Sequence, residues 1–199
     1  QSKSLMSANF KIDSNNPPND EVVKIIDSLG GANAKEISFT SMAAFPRTGA
    51  AKLVDVRGIE GGFPFYGTLE TDPVSAGKAY QINGGALVDA TVMLQLGLKP
   101  GDSIKIGNSI LPIAGALKSV PGSNAIFSSI APPVVIPFRY IAETGLLQTG
   151  SRINYDYYFV APGIDLKKLE NTVGKRLDFL EADLDTHTAT SDRLGRRYG

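Results

Sequence analysis

Cysteine and tryptophan are missing altogether, and histidine occurs once, at His187. Without cysteine the chain has no disulfide to staple it and no thiolate to hold a metal, and the absence suits cytoplasm and periplasm equally. Lysine plus arginine equals aspartate plus glutamate, 20 against 20. With no basic excess to displace counterions from a phosphate backbone, nucleic acid is set aside as a partner. The longest apolar run, residues 130–138, is about half of the ~20 residues a membrane helix needs, and it carries Pro132, Pro133 and Pro137. The amino end shows no initiator methionine and no signal-peptide apolar core, so it reads as a piece cut from a longer protein.

Hydrophobic residues make up 42% of the 199, and a chain of this length can bury roughly 70% of its unfolded surface. The most informative stretch is residues 96–106. Gly97 can take the left-handed conformation that stops a helix, Leu98 can fold back on the last turn, and Pro100 cannot continue it. Pro100 and Gly101 then suit the central positions of a type II turn. A strand leaves with Ile104 and Ile106 on one face, and Gly107-Asn108 predicts a hairpin that sets Ile104 opposite Leu111.

Along the chain, residues 9–12 predict a strand, and Asn19 or Asp20 can cap a helix after the Pro17-Pro18 break. Val22, Val23, Ile25, Ile26 and Leu29 share one stripe of that helix, which Gly30-Gly31 ends. Residues 35–45 and 52–59 alternate as strands around a turn at Pro46-Arg47-Thr48-Gly49. From Glu60 the texture changes to Gly61-Gly62-Phe63-Pro64-Phe65-Tyr66-Gly67. Asn83 is expected to cap a buried helix reaching Leu96, and Val134-Val135-Ile136 a short strand in a lobe with proline at its edges. Residues 154–160 alternate strongly, with Tyr155, Tyr157 and Phe159 on one face. Asp165 can cap a helix carrying Leu166, Leu169, Val173, Leu177 and Leu180 at spacings of three and four, and a last strand is expected over 183–189.

Two β-α-β halves thus flank a glycine- and proline-rich insert. The expected fold class is α+β, a split ferredoxin-like lobe of residues 1–60 plus 150–199 with an inserted β-rich lobe of 61–149.

The residues offer no catalytic, cofactor or metal set. His187 and Ser123 stand outside any nucleophile elbow, and each reads as a polar structural residue. Residues 181–185 hold three carboxylates without the glycine and closing glutamate of a calcium loop, and read as a solvated turn from helix to strand. Lys118-Ser119 lacks the adjacent glycine of a phosphate loop. Phe63, Phe65 and Tyr66 form either an apolar contact site for substrate or partner, or a plug for the seam between lobes. Arg193, Arg196 and Arg197 either touch anionic headgroups or solubilise a tail.

The run of residues 56–67, then Ala86-Leu87-Val88 ahead of residues 101–107, then Ile113-Ala114-Gly115, Pro121-Gly122, Thr144-Gly145-Leu146 and Gly150-Ser151-Arg152, resembles the extracytoplasmic (periplasmic core) domain of MacB/FtsX-like ABC-transporter permeases. Within that family it looks most like the large permeases of the YbbP type. The resemblance implies a domain carried between the first two membrane helices, with the split lobe near the membrane and the insert above it. It implies a non-catalytic role that transmits motion driven by ATP hydrolysis on a separate cytoplasmic subunit. It implies an apolar or lipid-linked substrate, or an outer-side partner such as a lysophospholipase- or esterase-like protein, and no cofactor. The three carboxy-terminal arginines depart from the positive-inside pattern at the expected membrane re-entry. The alternative is a soluble small-barrel enzyme or binding module, because residues 98–102 also open strands in double-psi and swapped-hairpin barrels.

Overall fold

Asn19 caps the first helix, its Oδ1 accepting from the Val22 amide at 2.9 Å, and Gly30 and Gly31 follow the helix with φ of 93° and 85°. This placement comes from a computed structural model that describes residues 9–62, 69–120, 125–148 and 152–186. Its strands are β1 (Asn9–Ser14), β2 (Ala34–Phe45), β3 (Ala50–Gly61), β4 (Glu70–Asp72), β5 (Ala86–Asp89), β6 (Ser103–Ile106), β7 (Ser109–Ser119), β8 (Pro133–Pro137), β9 (Asn154–Val160) and β10 (Ala182–Asp185). Its helices are α1 (Asp20–Ser28), α2 (Ala76–Asn83), α3 (Ala90–Leu96), α4 (Ala125–Ile130), α5 (Leu166–Leu169) and α6 (Lys175–Phe179), the last two joined by the π-helical turn Glu170–Gly174.

The chain divides into two compact units, Gln1–Glu36 with Asn154–Gly199, and Ile37–Ile153. The first division falls inside β2, ahead of the composition change near Glu60, because β2 runs on to pair with β3 in the second unit.

In the first unit the strands stand in the order β10-β1-β9-β2, the order that two interleaved β-α-β halves produce. β1 pairs antiparallel with both β9 and β10: Phe10 lies opposite Phe159, and Ile12 opposite Leu184. Because side chains alternate faces along a strand, these residues share one side of the sheet. There Phe10, Ile12 and Phe159 pack with Val22 and Ile25 of α1, Leu169 of α5 and Leu177 of α6. Asp165 caps the α5 segment through the Lys168 amide at 3.1 Å. The final strand begins at Ala182, one residue before its expected start, since Asp183 and Asp185 pair with β1 and do not form the expected solvated turn. Residues 187–189 lie outside the described residues.

In the second unit the order is β2-β3-β8-β5-β7-β4, and β6 pairs with both β2 and β7. The six strands β2, β3, β8, β5, β7 and β6 therefore close on themselves, which leaves none of those six as an unpaired edge. Ile104 does face Leu111 in the β6-β7 hairpin. Val56, Val134 and Val88 lie abreast on one face of this sheet, while Leu87 and Val135 on the other pack with Ile59, Leu117, and Ala76 and Tyr80 of α2. Pro133 and Pro137 bound β8, a central strand between β3 and β5, so proline marks strand ends here and not an edge strand.

One expected element is corrected. Residues 86–89 form a strand, and the helix starts only at Ala90, with Asp89 as its cap through the Val92 amide at 3.1 Å. Ala86, Leu87 and Val88 are fully buried between parallel β7 and antiparallel β8. A short apolar run with both faces covered looks the same in sequence whether it is strand or buried helix. Asn83 ends α2 instead of starting a helix, and Gly84 terminates it with φ of 77°.

Candidate functional site

The turn at residues 97–102 is built as its sequence dictates. Gly97 has φ of 66°, the Leu98 amide reaches the Met93 carbonyl at 2.8 Å, and the Asp102 amide donates to the Lys99 carbonyl at 3.0 Å across Pro100-Gly101. Asp102 is then a hub. Arg47 clamps its carboxylate with Nε on Oδ1 and Nη2 on Oδ2, both at 2.8 Å, while the Lys99 amide donates to Oδ2 at 2.9 Å. A further Arg47 hydrogen bond of 2.6 Å reaches the Gly97 carbonyl. The Arg47 bonds, helped by the Lys99 amide, hold the Asp102 carboxyl well below the usual carboxylate range. With both Asp102 carboxylate oxygens engaged, this cluster is a fastening between the β2-β3 turn and the α3-β6 turn. The sequence gives no sign that these two turns meet, since 55 residues separate the partners.

The face of the first unit's sheet opposite its helices is charged. Lys11 stands in register with Asp185 and Tyr158, and Asp13 with Asp183 and Asp156. The Lys11 ammonium lies 3.9 Å from Asp156 and over the Tyr158 ring. Burial works to lower the Lys11 pKa, yet the surrounding carboxylates of Asp156, Asp13, Asp185 and Glu36 outweigh it, and the net shift is upward. Burial pushes the Asp13 carboxyl up, and Asp183 and Asp185 add to this against the opposing pull of Lys11.

A groove of about 840 Å³ lies in the second unit, on α2 and its approach. Ala76 and Tyr80 point inward from α2, and this register leaves Lys78 and Ile82, one turn apart, on the groove side. Val74 and Ile82 line it at 86% and 81% exposure, a display of large apolar side chains to solvent. Gln81 ties α2 to the end of β3 through the Gly61 carbonyl at 3.4 Å. Gly61, Gly62 and Leu69 complete the wall. The α2 helix, and with it the groove, was not legible in residues 74–83, whose single alanines, glycine and polar residues carry little apolar periodicity.

Phe63, Phe65 and Tyr66, the expected contact residues, lie outside the described residues, as do Ser123, His187, Arg193, Arg196 and Arg197. Lys118-Ser119 ends β7 and is strand, with no loop to cradle a phosphate. Among the described residues no group of three or more histidine, aspartate or glutamate side chains is placed to hold a metal ion. Nor is any described helix long and apolar enough to cross a membrane.

No family model matches the chain. It is 32% identical, over 125 residues, to an uncharacterized ABC transporter permease, YbbP, of Escherichia coli strain K12. That match takes in 63% of this chain but only 15% of the relative's length. Among solved structures, the periplasmic region of MacB from Actinobacillus actinomycetemcomitans superposes with a TM-score of 0.53 at 11% identity, covering 96% of this chain and 94% of that one. The extracellular domain of the noncanonic ABC-type transporter YknZ from Gram-positive bacteria gives 0.51 at 13% identity, over 88% and 98% of the two chains. A domain of a putative permease from Porphyromonas gingivalis gives 0.50 at 13% identity, over 90% and 88%. The chain therefore has the α+β fold of MacB-like periplasmic domains, and its sequence is similar to a YbbP permease. The resemblance carried by its ordered turns and strands is borne out on both counts.

Proposed function

We propose that this chain is the extracytoplasmic, periplasmic domain of an ABC-transporter permease that handles an apolar or lipid-linked substrate and transmits ATP-driven motion, without making or breaking covalent bonds itself. The observation that carries the reading is the fold likeness to the MacB periplasmic region over 96% of the chain, together with the sequence likeness to a permease. ATP hydrolysis then belongs to a cytoplasmic subunit reached through the rest of the permease. An outer-side partner of lysophospholipase or esterase type fits the same reading. The unit holding both β-α-β halves is the membrane-proximal one, and the closed-strand unit is the one that meets substrate.

The groove on α2 is the proposed contact site. Its described wall ends at Gly62 on one side and resumes at Leu69 on the other, so the residues between them, Phe63, Phe65 and Tyr66 included, are proposed to supply further apolar contact. An apolar reporter, N-phenylnaphthylamine, tests this directly. Its fluorescence is expected to rise on binding to the chain and to fall back when Phe63 and Phe65 are both replaced by serine, or when Ile82 is replaced by aspartate. Equal fluorescence with all three proteins would remove the groove from the reading.

A second reading, a free-standing barrel module, draws on the ring of six strands. Residues 37–153 expressed alone, folding cooperatively and binding the same reporter with unchanged affinity, would favour it.

A further inference from the structure

We propose that the ligand of the α2 groove is an anionic amphiphile: a single apolar chain ending in a carboxylate or a phosphate. This rests on the groove reading above and adds the charge and shape of the ligand to it. Lys78 is the one charged residue among the described residues that line the groove. It sits one helical turn before Ile82, so its ammonium and the exposed Ile82 side chain project from the same face of α2. The volume of about 840 Å³ falls within the roughly 300–1,000 Å³ of small-molecule sites. Val74, Leu69 and Ile82 offer the apolar wall, with Ser75 and Gln81 as the neighbouring polar groups.

The charge pattern sets the sign of the head group. A cation placed beside Lys78 would meet a like charge with no described carboxylate on the groove wall to offset it, whereas an anion gains a charge-assisted hydrogen bond. The apolar wall sets the tail, because a polar ligand would leave Val74 and Ile82 facing water on one side and unmatched polar groups on the other. Carboxylate and phosphate heads share this chemistry, and the probes separate them.

The test is calorimetric titration of the 199-residue chain with dodecanoate, dodecyl phosphate and dodecyltrimethylammonium, each below its micelle concentration. Both anions are expected to bind at least ~10-fold more tightly than the cation, a difference of about 1.4 kcal/mol. The tighter of the two anions identifies the head group. Lys78→Glu is expected to remove that preference while leaving the melting temperature unchanged, and the neutral Ile82→Ser to weaken all three. Equal binding of all three amphiphiles, unaltered by Lys78→Glu, overturns the anionic assignment and leaves the apolar groove standing. Binding of none, or binding that Ile82→Ser does not affect, overturns the groove itself.

Discussion

The rings of Phe10 and Phe159 stack 4.8 Å apart and within 9° of parallel, and they join β1 to β9 directly beneath the two helical segments of the first unit. Both are almost wholly buried. One β-α-β half contributes the first ring and the other half the second, so this stack is where residues far apart in the chain become one core. Phe159→Ala is expected to destabilise by about 3–5 kcal/mol through lost burial and the cavity left behind. Urea unfolding followed by circular dichroism reads the loss; a change under about 1 kcal/mol would mean that the stack is not central to that core.

Asp102 gives a pH-dependent prediction. Arg47 and the Lys99 amide lower its folded pKa, so its contribution to stability is present above the unfolded value of about 3.9 and is lost as pH falls further. Asp102→Asn is expected to melt lower than the parent at pH 7, with the gap closing progressively below about pH 4. Arg47→Met should show the same convergence. A gap that stays constant to acid would mean that the clasp acts through packing and not through charge.

Asp13 has the opposite sign. Its folded pKa lies above the unfolded one, chiefly through burial, so ionising it costs stability as pH rises past about 3.9. Asp13→Asn is expected to raise the melting temperature at pH 7 and to have little effect at pH 3. Lys11→Met, which strips the carboxylates of their shared cation, should lower it at pH 7.

Two glycines separate conformational from steric need. Gly97 has φ of 66° and open space where a Cβ would stand, so Gly97→Ala should cost roughly 1–2 kcal/mol from the backbone alone. At Gly58 the φ is ordinary, but a Cβ would overlap the Ile141 side chain. Gly58→Ala should cost about 1–3 kcal/mol, and when it is paired with Ile141→Ala, which removes both clashing carbons, the double variant should lose less than the sum of the two single losses. Thermal melts of these variants decide between the two mechanisms.

Elements with a local cause were legible in the sequence: the Asn19 cap, the Gly97 stop, the β6-β7 register and the alternation of residues 154–160 all arise from neighbours within a few positions. Residues 86–89 read as helix in sequence because burial on both faces erases periodicity, and only the flanking strands show that they form β5. The Arg47–Asp102 clasp and the ring of strands depend on turns brought together from distant parts of the chain, and no local pattern announces them. Lys78 and Ile82 share the groove only through α2, whose residues carry little apolar periodicity.

The proposal that this domain transmits ATP-driven motion is tested most directly by a distance between its two units. The chain has no cysteine, so spin labels at Lys24→Cys in the first unit and Lys105→Cys in the second, both exposed, are its sole labelling sites, with any cysteine in the rest of the permease replaced by serine. They would be placed in the full permease, assembled with its ATPase subunit in lipid. Electron–electron double resonance is expected to show a distance distribution that shifts between the nucleotide-free and vanadate-trapped states, and no shift when the ATPase is catalytically dead. The same distribution in all three samples would contradict a domain that works by rearrangement.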